Sequence, residues 1–346
     1  MGATSGTDLR LAAQLLAGNP VATPEAAVRQ LLAVQAQDPR GFRLAVRART
    51  TSLTQEPLLA ALTERRSLVV TWLNRGTLHL VAAEDYRWLH RLTTPQLAVG
   101  NARRLRQEGV SPDQAVRGVA VVADEVAAGP RTRAQLAVAL EAAGVPHLGQ
   151  ALVHVLFKAA IEGVVVRGPV VGAQHAYVAA DAWLGPAPAP LDRDGALALL
   201  ARRYLAGHGP GDARDLAKWA GIPIRDAAAG LAAIAQETEP FEDGLVRLPD
   251  GAAAAVAPPR LLGAWDALLL GWASRAGITG RHDAAVVSGG LFRPFALVEG
   301  RAVGRWGLAD GRVELDLLER VAHEDRLALE ADAAAVLRFL APLPGG

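Results

Sequence analysis

The sequence predicts a mainly helical α+β fold, in which pairs of helices are closed by short β-hairpins and a β-rich segment ends the chain. Three observations carry that reading. Helix-start signatures precede apolar stripes of helical spacing, short alternating segments follow the helices, and one helix–helix–hairpin pattern returns after eighty residues.

A first helix is expected at about 8–17. A second opens with Thr23 as N-cap, Pro24 at the first helical position and Glu25 in the first turn, and its apolar face is Val28, Leu31 and Leu32. Pro39 is read as its stop, with Asp38 pushed towards extended geometry. Phe42, Leu44, Val46 and Ala48 then alternate with Arg43, Ala45, Arg47 and Arg49, which predicts a strand with one apolar and one largely arginine face. A helix at about 55–65 leads into strands Leu68–Trp72 and Thr77–Val81 across Asn74-Arg75-Gly76. Helices followed by such a hairpin form the winged-helix pattern, the hairpin being the wing.

The pattern recurs from Gly129-Pro130 and again from Gly209-Pro210, with Thr132 and Asp212 as N-caps and Gly144 and Gly221 as stops. Second helices at about 148–161 and 224–236 lead to the β-segments Val164–Arg167 with Ala176–Ala179, and Leu245–Leu248 with Ala252–Val256, the last pair joined by Pro249-Asp250-Gly251. A Pro-rich linker, 185–190, separates the copies. Strands at 284–287, 292–298, 302–307 and 313–317, a tight turn at Glu299-Gly300 and a helix at about 322–340 complete the chain. The predicted architecture is three tandem winged-helix units, 1–95, 96–184 and 192–258, followed by a β-rich segment, 259–346.

Composition excludes several chemistries. There is no cysteine, so disulfides, cysteine metal sites and thiol nucleophiles are absent, and the eight histidines show no metal-ligand spacing. No apolar run is long enough to cross a membrane and no basic-then-apolar leader begins the chain, so a cytoplasmic protein without cofactor is expected. No nucleophile elbow or phosphate-binding glycine loop is present. Residues 1–110 hold fourteen arginines against eight acids, a net of +6 in a chain whose total is +1. A polyanion should therefore meet the N-terminal third, through the arginine face of Arg43, Arg47 and Arg49.

Gln35-Ala36-Gln37 continues the face begun by Val28 at a point where the helix is ending. In extended chain the two amides would share one side. Two readings stand: the glutamines satisfy the last helical carbonyls, or they are presented together for chemistry.

Taken in order, Gln35-Ala36-Gln37, Leu73 to Val81 with Arg75-Gly76-Thr77, Gly209-Pro210 with Asp215-Leu216, and Trp265-Asp266-Ala267-Leu268-Leu269-Leu270-Gly271 resemble the signatures of the AlkZ-type winged-helix DNA glycosylase family. The resemblance runs over nearly the whole chain. It implies three winged helices with a basic concave face and monofunctional removal of alkylated purines from double-stranded DNA, in repair or in self-resistance to a genotoxin, by a monomer. By position it makes Gln35 and Gln37 catalytic, and it adds Arg75 and Arg275 to the DNA contacts. Housekeeping members carry aspartate at the second motif position; Gln37 here favours the resistance-type branch, with Asp38 adjacent. The alternative from another class is a non-catalytic DNA binder, a regulator or adduct-binding resistance factor. A protein-interaction scaffold fits poorly with the basic N-terminal third.

Overall fold

The computed structural model describes residues 5–342, apart from 52, 172, 173, 252 and 254. The chain divides into two units, Met1–Leu59 with Leu197–Gly346, and Ala60–Ala196. The boundary at residue 59 falls inside the span expected as the first winged helix, so its early helices belong to one unit and its hairpin to the other.

In the unit Ala60–Ala196, the hairpin forms in full antiparallel register from Leu68↔Ala82 to Leu73↔Thr77. Asn74 and Gly76 adopt positive φ at its tip. Val165–Val171 lies beside it through Val70↔Arg167, and pairs in turn with Gln174–Ala179. Helices Pro112–Ala127 and Arg133–Ala142 both start from capping boxes, Ser111 with Gln114 and Thr132 with Gln135. Trp72, Leu136, Val155 and Val165 form part of the core on which helices and sheet meet.

The other unit packs helices Gly6–Ala13, Pro24–Leu31, Pro39–Arg47, Arg193–His208, Ala213–Ala220 and Ile224–Ala233 with a four-stranded antiparallel sheet. The sheet places Phe295–Val298 between Arg260–Leu262 and Arg301–Ala309, with Arg312–Leu317 outermost. Leu44, Leu261, Trp306 and Phe339 join the sheet, the Pro39–Arg47 helix and the final helix His323–Leu340 in one core.

The internal repeat has a structural counterpart. Arg131, before the N-cap Thr132, exchanges two backbone hydrogen bonds with Tyr177 of the following hairpin (2.9 and 2.7 Å). Gly211, before the N-cap Asp212, does the same with Val246 (3.0 Å each).

Three expectations are corrected. Residues 42–49 are not a strand: Pro39–Arg47 is a helix capped by Asp38, whose carboxylate accepts the Gly41 N–H. Phe42, Leu44, Ala45 and Val46 are all buried while Arg40 is exposed and Arg43 half-buried, so the apparent alternation belongs to an amphipathic helix. Asp38-Pro39 is thus a helix start of the same kind as Thr23-Pro24. Second, the partner of Val246–Arg247 is the upstream strand Glu239–Pro240. Of the strand expected at Ala252–Val256, Ala252 and Ala254 lie outside the described residues and the others are not strand. Third, the first of the late strands is a helical turn, Asp283–Val286, ahead of the short strand Val287–Ser288.

Candidate active site

Gln35 and Gln37 lie in the seven residues, 32–38, between two helices, and both ends of that segment are fixed. The Pro24–Leu31 helix is capped by Thr23 (Ala26 N to Oγ1, 3.2 Å) and buries Val28 and Leu31 completely. It ends at Leu32, which is fully buried and has φ +62°, ψ −47°. The Ala33 N–H donates to Leu31 O at 2.7 Å, so Leu32 is the centre of a γ-turn of the rare, strained form. A branched side chain costs about 1–3 kcal/mol in such a conformation and keeps it only where packing imposes it. From this turn the chain runs extended through Val34–Gln35. Gln35 is 7% exposed, whereas Gln37 is exposed. The far end is held by Asp38, committed to its cap, and by Gly41. A Cβ on Gly41 would come within 2.3 Å of Ala264 O, so only glycine lets this helix lie on that backbone.

A buried polar network props the near end. His208 is wholly buried, its Nε2 3.1 Å from Leu31 O and its Nδ1 3.0 Å from Gln14 Nε2. Because the Gln14 amide donates, Nδ1 is the acceptor and Nε2–H donates to the γ-turn carbonyl. Gln14 also donates to Ala267 O (3.2 Å) and accepts from Arg49. The Arg49 guanidinium, with no exposed surface, holds Asp266 through both nitrogens (2.8 and 2.9 Å) and bonds Gln14 O, Gln14 Oε1 and Ala45 O at 2.9 Å each. All five of its N–H donors are used. Asp266 accepts from Leu268 N as well. Nearby, Arg10 reaches Pro210 O and Asp215, Asp215 receives Ala273 N, and Tyr204 donates to Gly271 O. The conspicuous motifs around Gly209-Pro210, Asp215 and Trp265–Gly271 therefore converge on one internal framework.

The arginine predictions separate accordingly. Arg49 and Arg47 are corrected: Arg49 is consumed by Asp266, and Arg47, 5% exposed, by Asp332 at 2.6 and 3.0 Å. A phosphate would have to break a buried ion pair to reach either. Arg43 is half-buried and donates to Gln55 Oε1 at 2.9 Å, burial holding its pKa below the usual arginine value. Arg275 pairs with Asp283 at 2.9 Å. In the other unit, Arg75 is half-buried at the hairpin tip, where Asn74 N donates to Thr93 Oγ1 (3.1 Å) and Gly76 packs on Leu97 and Phe157. His208 and Gln14 were not anticipated. The one available signal was a glutamine inside the apolar run Leu11-Ala12-Ala13-Gln14-Leu15-Leu16.

Burial lowers the His208 pKa from 6.5 to about 4 and, within the other unit, burial and then Arg75 lower that of His79 to about 3. Both are neutral when folded and refuse a proton that the unfolded chain accepts below its pKa of about 6.5. Their stabilisation is full above that pH and is lost as pH falls towards 4. Unfolding free energy should drop by up to about 1.4 kcal/mol per pH unit for each histidine. Urea midpoints measured from pH 7 to 4.5, with the slope reduced in His79→Gln and His208→Gln, check this.

Among the described residues no group of acids and histidines could hold a metal, and no helix is long and apolar enough to cross a membrane. No curated protein matches the chain. Among solved structures, DNA glycosylase AlkZ of Streptomyces sahachiroi is similar at a TM-score of 0.81, with 23% identity over 98% of this chain and 97% of that one. At that identity the likeness establishes the fold. The family described as DNA glycosylase AlkZ-like matches residues 28–339, nearly the whole chain. An enzyme with this fold and this family match, and with two amides fixed between a strained turn and a capped helix, belongs to the AlkZ-like DNA glycosylases.

Proposed function

We propose that this glycosylase hydrolyses the N-glycosidic bond of N7- or N3-alkylated purines in duplex DNA, on a scaffold of three winged-helix units, with Gln35 and Gln37 as its catalytic residues. The observation that carries the reading is the Gln35-Ala36-Gln37 segment held between a strained turn and a capped helix, with the adjacent carboxylate, Asp38, occupied by the Gly41 N–H. Such a motif lacks a general acid. An alkylated purine needs none: it already bears positive charge, so the electrons of the breaking C1′–N bond flow into it and it departs neutral. What remains is to place water at C1′ and to stabilise positive charge growing on the sugar, which pre-oriented amide carbonyls can do. Water then bonds to C1′ and releases its proton late. Arg75, and Arg43 and Arg275 beside it in the proposal, serve the phosphates.

Duplexes containing N7-methylguanine should release the free base and leave an alkali-labile site, whereas uracil and hypoxanthine should stay in place, since nothing in the motif protonates a neutral base. Efficient uracil release would require an acid elsewhere and end this mechanism. Tight binding of the adduct without release would favour the non-catalytic binder. Arg75→Ala should weaken duplex binding and lower the salt slope by about one; an unchanged slope would remove Arg75 from the interface.

A further inference from the structure

We propose that the C-terminal β-rich segment carries a second, phosphate-binding site, separate from the glutamine motif and independent of the substrate assigned to it. A cavity of about 500 Å³ is formed where three stretches of chain meet, and it is lined by Arg281, His282, Arg301, Glu319 and Arg320. Gly280, at φ +48°, makes the bend that separates Arg281 and His282 from the preceding helical turn Ala276–Thr279.

The cavity's charge is unbalanced. Three arginines face one carboxylate, and that carboxylate is already engaged: Glu319 Oε2 is 3.0 Å from His282 Nε2 and also receives Arg281 Nη2. These bonds, His282 first, hold the Glu319 carboxyl below the ordinary glutamate range, so it stays ionised and cancels one positive charge. The side chains of Arg301 and Arg320 make no ion pair or hydrogen bond with the described residues, while their neighbours Arg275, Arg305 and Arg326 each hold a carboxylate. Two exposed guanidinium groups without counter-ions, opening on one concave space, suit a doubly hydrogen-bonding anion. Guanidinium forks match phosphate oxygens in pairs, and a concave wall concentrates their field. The Glu319 carboxylate, engaged by Arg281 and His282, repels an anion on its own side of the cavity, which favours a phosphate held by the exposed Arg301 and Arg320.

The phosphate has two possible sources, a phosphodiester of the DNA backbone or a free phosphate ester, and the experiment tells them apart. The variant Arg301→Ala/Arg320→Ala changes only exposed side chains, so it should fold as the native protein does. If the DNA backbone is the occupant, the slope of log affinity against log salt for an undamaged duplex should fall by about two in this variant. Excision of N7-methylguanine at saturating DNA should be unaltered. If a free ester is the occupant, the duplex slope should stay as it was. The native protein should then bind adenosine monophosphate and inorganic phosphate by calorimetry, and the double variant should not. In either case Glu319→Gln, which removes the opposing charge, should tighten the same ligand several-fold, the opposite direction from the arginine variant. Unchanged duplex slope together with no phosphate binding to the native protein would overturn the site. So would a Glu319→Gln variant that weakens the ligand. Neither outcome depends on excision, so loss of this site and loss of the glycosylase mechanism are separate results.

Discussion

Replacing Gln37 by alanine is expected to slow excision of N7-methylguanine by about 10²-fold or more under single-turnover conditions, while duplex affinity stays within a factor of two. The magnitude is that of deleting one preorganised electrostatic contact, roughly 2.7–4 kcal/mol in the transition state. Affinity should hold because a neutral amide adds little to phosphate binding, which arginines dominate. Gln37 is exposed, so its loss should leave the melting temperature unchanged and the rate can be read without a folding correction. Gln35 is buried, so Gln35→Ala should slow excision more mildly and also cost some stability. A double variant that excises at the native rate would remove the motif from catalysis.

The second large effect concerns the protein's interior. Arg49→Met should destabilise the unit by about 3–5 kcal/mol, because it leaves the Asp266 carboxylate buried without its counter-charge. Asp266→Leu should cost as much, since Arg49 would then be the uncompensated ion. The pair together should cost far less than the sum, since an apolar replacement of similar volume needs no desolvation to be repaid. Chemical denaturation of the two single variants and the double variant provides the test. Additive losses would mean that the two residues act separately and that the network described around them is not a unit. Excision should suffer along with stability in the singles, because the network reaches the γ-turn at Leu32 through Gln14 and His208.

Much of the fold could be read from the chain. Thr23-Pro24, Thr132 with Gln135, Asp212 and the glycines after the helices act through hydrogen bonds spanning three or four residues, so the information needed to form them is local. The Leu68–Leu73 and Thr77–Ala82 hairpin closes over a turn whose residues tolerate positive φ, and it too was legible. The order of the motifs identified the family, but the helix expected to run up to Pro39 ends at Leu31, because the buried turn at Leu32 is imposed by packing and leaves no local signal. The segment 39–49 was misread because Phe42, Leu44, Val46 and Ala48 mimic a two-residue alternation, although Arg40, Arg43 and Arg47 share one helical face and the Asp38-Pro39 cap was the better signal.

The arginines mark where sequence stops deciding. By itself the chain settled that positive charge is concentrated in its first third, that two amides stand one residue apart ahead of Asp38-Pro39 and that no thiol is available. It did not settle which arginines face a polyanion. Arg49 is spent on Asp266, 217 residues away, and Arg47 on Asp332, 285 away. Arg301 and Arg320 sit at a cavity because distant strands and turns fold together. A side chain's charge is written in the sequence, but whether it is cancelled depends on which carboxylate the tertiary structure brings within about 3 Å, and no pattern local to the chain carries that distance.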